Sequence, residues 1–400
     1  MKNILIAIRS IFKKGRHNVM KIVSLGIGLA VGLVLIAKVY FEQSYDDFYP
    51  DRDRVYQVWA KYQQNGGELK DYPQTSGGIA PTMQQQIPEI ETVTRYTSFG
   101  DWTFTMTDTK MKYSGRCIIA DSCFFDILPR PMLIGNAKEV LSTPMYVLVS
   151  SRIAKNIGGD VIGKNFTVDS SPGRTMTIGG VFEEVPENSH SRYDVIVSMA
   201  SASRFMWEGS PTNMLGNDRY ISYVKLHKGV NPLALEEQVH TFVNSYFPPE
   251  EQQKTGFNIG FSFHELDGLH KELPQVKRMT WILSLLAFAL IFTAVMNYIL
   301  IVISSIVNRS KEVAVHKCYG ASENNIHGMM FGEALVHIVL SLILALLLIL
   351  AFRGTVEELL ATSLDSLLLS NGSLVLLGIC ILVFFVSGFM PGSLYARIPV

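Results

Sequence analysis

Four long apolar runs divide the sequence into its parts. They cover residues 22–41, 279–307, 329–352 and 373–390. About 20 helical residues cross the hydrocarbon core of a bilayer, so each run is long enough to be a transmembrane helix. The pattern predicts a membrane protein with an α-helical four-span transmembrane region.

The segment before the first run sets the expected orientation. Residues 1–21 carry six basic side chains and no acidic one, an excess that predicts a cytoplasmic N-terminus. Four spans then place the C-terminus in the cytoplasm and residues 42–278 outside. The first run lacks a small-x-small cleavage site and is expected to stay as an anchor. Residues 1–21 fit either an amphipathic helix in the headgroup layer or an extended basic flank.

The polar part between the first two runs has the pattern of an α+β domain. Apolar and aromatic residues typical of strands recur without a regular βαβ rhythm. Predicted strands lie in the stretch that ends at Asn65, at WTFTM from Trp102, at GRCIIA from Gly115, and at 145–149, 174–182 and 220–226. Helices are predicted at 150–157 and, with Pro232 at its first position, at 232–246.

The other polar segments are short. They comprise a cytoplasmic loop at 308–328, an acidic outer loop at 353–372 and a cytoplasmic tail at 391–400. Within the first loop, residues 311–319 have helical character, and Gly320 stands where a helix would stop. A short helix between two spans could receive a push from another protein. An ordinary connecting loop fits the spacing too, and spacing alone favours it.

Three features within the predicted spans have a physical interpretation. Gly28 and Gly32 form a GxxxG spacing that lets another helix approach closely. Lys38 lies one turn from the outer end of its span and is expected to snorkel to the interface. Glu333 and His337, four residues apart, fit either a pair or a contact with the preceding loop, and they fit interfacial placement equally well.

Composition narrows the classes of function. Lysine plus arginine equals aspartate plus glutamate at 35 each, so no global charge favours nucleic acid. Of the four cysteines, Cys117 and Cys123 share the outer compartment. We expect reduced thiols there rather than a disulfide, since a large domain has little need of such a crosslink.

No motif predicts a catalytic, cofactor or metal site. GGDVIGKN at 158–165 matches a phosphate loop except at its last position, but a helix precedes it and a strand-like segment follows, so a turn is predicted. HELDGLH at 264–270 has histidines six residues apart rather than four, and we expect a surface loop, with weak adventitious metal binding as the alternative. The sequence contains no GxSxG motif.

Taken in order, the segments resemble one known family. One span, a large outer domain and three clustered spans are the layout of MacB/FtsX-type ABC transporter permeases. In the cytoplasmic loop the family pattern is matched by Arg309, Glu312, Lys317, Gly320, Ala321 and Glu333, and in the tail by Pro391, Ala396, Arg397 and Pro399. In the outer domain, YDDFYPDRDRVYQV, IPEIETVTRY, ADSCFFDILP, VSSRIAKNIGGDVIGK and GGVFEEVPENSHSRYD resemble the MacB-type periplasmic domain of Bacteroidetes-like permeases.

The resemblance implies a bacterial inner-membrane subunit that does not hydrolyse ATP. A separate ABC ATPase would bind ATP and Mg²⁺ and dock on the cytoplasmic loop. The ATPase-coupling residues carried over by the resemblance are Arg309, Lys311, Glu312, His316, Lys317, Gly320, Ala321, Ser322 and Glu333. His316, Cys318 and Tyr319 depart from the expected basic or aliphatic residues.

The implied mechanism is mechanotransmission, in which the ATPase moves the periplasmic domain for export or envelope transport. The alternative is a non-transporting FtsX/BceB-like signalling subunit that regulates an envelope enzyme or senses a ligand. Expected partners are the ATPase, a second permease copy or second half, the lipid bilayer and a periplasmic adaptor or outer-membrane channel; nucleic acid is not among them.

Overall fold

The computed structural model describes residues 18–169, 171–304, 315, 318, 323–368 and 373–396. The chain divides into two compact units. We call Met1–Ser44 together with Glu272–Val400 the helical unit, and Tyr45–Lys271 the sheet domain. Each unit has its own hydrophobic core.

The described residues form helices and strands that we number along the chain. The α-helices are α1 Asn18–Gln43, α2 Ile79–Gln86, α3 Phe124–Ile127, α4 Ala137–Ser142, α5 Ser151–Ile157, α6 Ala202–Phe205, α7 Glu236–Tyr246, α8 Pro249–Thr255, α9 Gly268–Lys271, α10 Pro274–Ser304, α11 Glu323–Ala351, α12 Arg353–Leu360, α13 Leu364–Leu368 and α14 Ser373–Ala396. The strands are β1 Val55–Gln64, β2 Lys70–Tyr72, β3 Ile90–Met106, β4 Lys112–Ala120, β5 Met132–Ile134, β6 Tyr146–Ser150, β7 Asn165–Val168, β8 Ser171–Phe182, β9 Val195–Ser198, β10 Ile221–Leu226 and β11 Phe257–Glu265.

Three described helices are long and apolar enough to cross a membrane. They are α1, α10 and the Phe331–Ala351 part of α11, while α14 contains a shorter apolar stretch at Val375–Val386. α10 begins five residues before the predicted start at 279, and α14 continues past the predicted end at 390. The connection predicted as an acidic loop at 353–372 contains the short helices α12 and α13.

α1 packs against both α10 and α11, and α11 packs against α14. The core between them consists of aliphatic side chains together with the ring of Tyr298. Leu25, Leu29 and Ala345 are almost fully buried in it. Because lipid tails are as apolar as these side chains, close packing and polar contacts rather than the hydrophobic effect must hold the helices together.

The sheet domain is built on one mixed sheet of eleven strands among the described residues. The order is β11-β1-β10-β3-β4-β9-β6-β8-β5, with β2 paired to β1 and β7 paired to β3 and β8. The pairs β4–β9 and β6–β8 are parallel, and the others are antiparallel. The prediction of an α+β domain is confirmed by this topology.

Local sequence explains several of these boundaries. β1 ends where Asn65 and Gly66 adopt positive φ. Ser150 caps α5 by accepting a hydrogen bond from the Ile153 amide, and Gly158 ends that helix with a φ of 75°. The helix predicted to begin at Pro232 starts with a 3₁₀ turn over Pro232–Leu235, and its α-helical part begins at Glu236.

The prediction of a surface loop at 264–270 is wrong. His264 lies in strand β11, one residue before its end, where it stacks on Trp59 with ring centroids 4.2 Å apart, and partial burial lowers its pKa. His270 lies in α9 and stacks on Tyr45 at 3.4 Å. Gly268 begins this helix instead of preventing it, since a single turn needs little intrinsic propensity once tertiary contacts hold it.

Candidate functional site

Most of the predicted ATPase-coupling segment is not described. Arg309, Lys311, Glu312, His316, Lys317, Gly320, Ala321 and Ser322 lie outside the described residues. Val315 and Cys318 are described, and both are helical and exposed. The candidate site is therefore built from the helices that enter and leave this segment and from the elements that these helices contact.

Buried polar side chains meet near one end of the helical unit, and we call them the polar cluster. Its members are Asn18 and Lys21 of α1, Tyr298 of α10, and Glu333, His337 and Ser341 of α11. Lys21 is 1% exposed and Glu333 6% exposed. The structure thus buries Glu333 and His337 among the helices instead of leaving them on the surface.

Hydrogen bonds connect the three helices of the polar cluster. The Tyr298 hydroxyl lies 3.3 Å from His337 Nδ1, which joins α10 to α11. Ser341 Oγ donates to the carbonyl of Ile22, at 3.1 Å, and to that of His337, at 2.8 Å. Ile22 follows Lys21 directly, so the bond from Ser341 holds the part of α1 that contains Asn18 and Lys21 beside α11. Ionisable groups at such a depth are costly and are characteristic of functional positions.

Three glycines on α1 allow close helix packing. A Cβ built on Gly28 would lie 2.2 Å from the Cβ of Ala294, and one on Gly32 would lie 2.4 Å from Cγ1 of Ile291, both on α10. A Cβ on Gly26 would lie 3.1 Å from the carbonyl oxygen of Ser341 on α11. α1 is therefore fitted between α10 and α11 through its smallest residues.

A second polar contact lies near the opposite end of α1. Lys38 Nζ is 2.6 Å from Glu42 Oε1 and donates to Thr362 Oγ1 at 2.7 Å. The Lys38 and Glu42 side chains are only 8% and 6% exposed. The prediction that Lys38 snorkels is wrong, because a carboxylate one turn along the helix and a hydroxyl between α12 and α13 provide partners inside the protein.

In the sheet domain, the segments where the chain enters and leaves are held together; we call them the neck. Asp47 pairs with Arg52 at 2.8 Å and with Lys271 at 3.0 Å. Asp267 pairs with the same two cations, at 3.2 Å from Arg52 and 2.8 Å from Lys271. The Tyr45–His270 stack adds an aromatic contact. Each exposed pair is worth little alone, but a network that shares its members fixes the geometry.

A buried chain of hydrogen bonds holds Asp46, the residue before Asp47 of the neck. Asp46 is fully buried with a φ of 59°. His190 Nδ1 lies 2.8 Å from Asp46 Oδ2, and its Nε2 contacts the Tyr223 hydroxyl. Burial raises the pKa of Tyr223 well above its usual value, so the phenol stays protonated. Sequence reasoning missed this chain because its members are far apart in sequence.

The described residues offer little basis for catalysis. They contain no group of three or more histidine, cysteine or acidic side chains able to hold a metal ion. The turn predicted at 158–165 is confirmed, with positive φ at Gly158, Gly159 and Gly163 between α5 and β7. Cys117 is a buried free thiol whose pKa burial raises well above its usual value, and Cys123 is a half-buried free thiol.

A charged cleft of about 450 Å³ opens on the sheet domain, but its charges largely neutralise one another. Arg152 lies 2.6 Å from Asp194 and 3.3 Å from Glu184. Arg116 donates its backbone amide to Asp194 at 2.9 Å. The cleft therefore shows no single sign of charge that would select a ligand.

Comparison with known proteins identifies both units. Residues 20–242 match the MacB-like periplasmic core domain, and residues 284–400 match the FtsX-like permease C-terminal domain. No curated protein matches the sequence.

Solved structures resemble the sheet domain. A crystallised domain of a protein described as a permease from Porphyromonas gingivalis is 32% identical, with a TM-score of 0.50, over 54% of this chain and 91% of the other. The periplasmic region of MacB from Actinobacillus actinomycetemcomitans is 16% identical (TM-score 0.35), covering 55% of this chain and 92% of the other. The extracellular domain of the noncanonic ABC-type transporter YknZ from Gram-positive bacteria is 10% identical (TM-score 0.36), covering 51% and 98%.

The first family match alone spans more than half of the 400 residues, and the second covers most of the remainder. Apolar helices long enough to cross a membrane accompany both matches. The chain therefore belongs to the MacB/FtsX-type ABC transporter permeases, as a membrane permease subunit with an extracytoplasmic domain.

Proposed function

We propose that this chain is a mechanotransmission subunit, in which ATP hydrolysis by a separate ATPase moves the sheet domain for export or envelope transport. Permeases of this family work with a partner ABC ATPase and form the membrane subunit. The single observation that carries the proposal is that α1, which leads directly into the sheet domain, is fixed to α10 and α11 along its length.

The contacts of α1 support transmission through a stiff body. The polar cluster ties its first turns to the helices that border residues 305–322. At Gly28 and Gly32 the two helices are so close that α1 has no space to slide against α10. Near its other end, the Lys38–Glu42 pair holds α1 to Thr362. A displacement of α10 and α11 would then move α1 with them, because packed interiors resist deformation.

The neck supports the same proposal from the side of the sheet domain. The chain enters this domain at Tyr45 and leaves it at Lys271. The charges around Arg52 and the Tyr45–His270 stack hold these two segments to each other. If the helices move, the entering and leaving segments would then move together, because the neck holds them in fixed geometry. Two independent flexible linkers would instead absorb the displacement.

The topology belongs to the proposal as well. α14 is taken as the fourth span, since Ser373–Ala396 is helical over 24 residues and contains the apolar stretch Val375–Val386. The basic residues before α1 favour cytoplasmic termini in the bacterial inner membrane. Residues 309–322 then face the cytoplasm, where ATP and the ATPase are present. A second permease copy or second half would complete the assembly.

The test is association with the ATPase. The double variant Glu312→Ala/Lys317→Ala of the full chain is purified in mild detergent, and co-purification of a protein with a phosphate loop is measured together with its ATP turnover. Loss of association, or turnover that no longer responds to the permease, is expected because both charges would contact the ATPase.

The matched control is Glu208→Ala/Lys228→Ala, which removes one charge of each sign from exposed positions in the sheet domain. This control is expected to co-purify like the parent chain. Unchanged association and coupling in the loop variant would show that residues 309–322 are not the ATPase contact.

A further inference from the structure

A groove on the sheet domain lies where helix α7 runs beside the terminal strand β11. Its volume is about 720 Å³. Five consecutive strand residues, Ile259 to Phe263, line it, although successive residues of a strand point to opposite faces of the sheet, so the groove follows the edge of the strand. None of its lining residues belongs to the polar cluster or to the neck charges, which the proposed coupling uses.

In the part of the chain that the structure describes, the outer edge of β11 beyond Ile259 pairs with no further strand. Among the described residues, β1 is the strand with which β11 pairs. The Ile259 amide donates to the Gln252 side chain at 3.2 Å, so this residue points away from β1. Orientation alternates along a strand, and therefore Phe261 and Phe263 also direct N–H and C=O groups to the open edge. Such an edge is a template for another strand.

Helix α7 supplies the second wall. Its lining residues Glu236, Val239, His240 and Val243 are spaced three and four apart, so one face of the helix borders the groove. The floor is apolar, with Phe261 6.0 Å from Phe242 between ring centroids. An added strand would direct alternate side chains toward this apolar wall and the remaining ones away from it.

The charges along the groove differ at its two ends. Glu265 lies at the C-terminal end of β11, and Lys61 pairs in register with Gly260 near the other end. A segment running antiparallel to β11 would begin beside Glu265 and end beside Lys61. Charge complementarity therefore selects a segment with a basic residue at its N-terminal end and an acidic residue at its C-terminal end.

We propose that this groove binds an extended segment of a partner protein by strand addition to β11. The segment spans about seven residues, or about 24 Å at the rise of an antiparallel strand. It carries alternating apolar side chains, a basic first residue and an acidic last one. Main-chain hydrogen bonds to Phe261 and Phe263 provide affinity, and the α7 wall selects the apolar side chains.

The probe is the fluorescein-labelled peptide KVTVTVE, blocked at both ends and titrated by anisotropy against the full chain in detergent. Two control peptides carry N-methyl groups, one on the valines and the other on the threonines. A strand presents alternate amides to opposite edges, so only one control loses the donors that face β11. That control is expected to bind at least about tenfold more weakly, while the other stays within about threefold of the parent.

A pair of chain variants tests the strand side. Phe263→Pro removes an outward N–H without touching the bonds to β1, whereas Phe263→Val keeps the N–H and loses a similar part of the ring packing. Weaker binding to the proline variant than to the valine variant supports strand addition.

The control peptides decide the outcome on the unaltered chain even if a variant fails to fold. Absence of saturable binding by the parent peptide at millimolar concentration would overturn the proposal. So would equal binding of the two methylated peptides, whether both are retained or both are lost. Neither result bears on the ATPase coupling, which this surface does not use.

Discussion

Replacing Gly28 by alanine tests whether α1 and α10 form one body. The added methyl group would lie 2.2 Å from the Cβ of Ala294, far inside contact distance. Cβ of Ala294 is fixed to the backbone, so no side-chain rotation can relieve the clash and the helices must separate. Overpacking of this kind costs about 1–3 kcal/mol.

Heating the detergent-solubilised chain and measuring the remaining monodisperse protein by size-exclusion chromatography gives the effect. For a unit of this size, each kcal/mol lowers the melting temperature by about 2–4 °C, so Gly28→Ala should lower it by about 2–12 °C. The matched control is Gly378→Ala on α14, because among the described residues a Cβ built there meets no atom within 4 Å beyond its chain neighbours and the backbone of its own helix. Alanine favours helix more than glycine, so this control should be neutral or slightly stabilising.

A second change distinguishes the clash from a general loss of stability. Ala294→Gly removes the obstructing methyl group, so in the Gly28→Ala background it should restore part of the lost melting temperature. On its own, Ala294→Gly should destabilise by about 1 kcal/mol through helix propensity. If Gly28→Ala melts like the parent chain, or if the two changes simply add, then α1 and α10 do not pack in this manner.

Three further predictions concern charges. Lys38→Met should destabilise the helical unit by about 3–5 kcal/mol because it leaves the Glu42 carboxylate buried without its cation, and Lys38→Met/Glu42→Met should recover most of the loss in the same thermal assay. Hydrogen bonds from Lys225 and Arg54 lower the pKa of Asp51, so the stability that this carboxylate contributes is present above its ordinary pKa of 3.8 and lost as the pH falls further. Above that pH the parent chain should resist proteolysis better than Asp51→Asn, and the difference should disappear as the carboxylate of the parent becomes protonated. Lys271→Glu should loosen the neck by about 0.2–1 kcal/mol for each broken pair and increase proteolytic cleavage there. High salt should reduce the difference in cleavage between this variant and the parent chain, because it screens the ion pairs of the parent.

The sequence predicted those elements whose signal is local. Long apolar runs are typical of spans, and three of the four correspond to helices long enough to cross a membrane. The turn at 158–165 was predictable because its glycines and the preceding helix are adjacent in sequence. GxxxG spacing likewise pointed to the face of α1 that α10 approaches most closely.

Contacts between distant segments left no such signal. Asp46 and His190 are 144 positions apart, and nothing near either residue indicates that their side chains are in hydrogen-bond contact. Lys38 was misinterpreted for the same reason, since the position of Thr362 beside it depends on how α12 and α13 fold back. His264 and His270 were assigned to a loop because the rings on which they stack, Trp59 and Tyr45, lie some 200 residues earlier.

The positions of the two lysines on α1 explain why this helix is suited to transmit movement. Lys21 and Lys38 are 17 residues apart, or about 26 Å along a helix, and both are buried, Lys21 beside Asn18 and Lys38 beside Glu42 and Thr362. Between them the helix is apolar and rests on glycine contacts. A helix with a buried charge near each end cannot shift by a turn without moving those charges away from the groups around them, which is costly. In the mechanism we propose, this penalty keeps α1 in register with α10 and α11, so that a displacement at one end would reach the other.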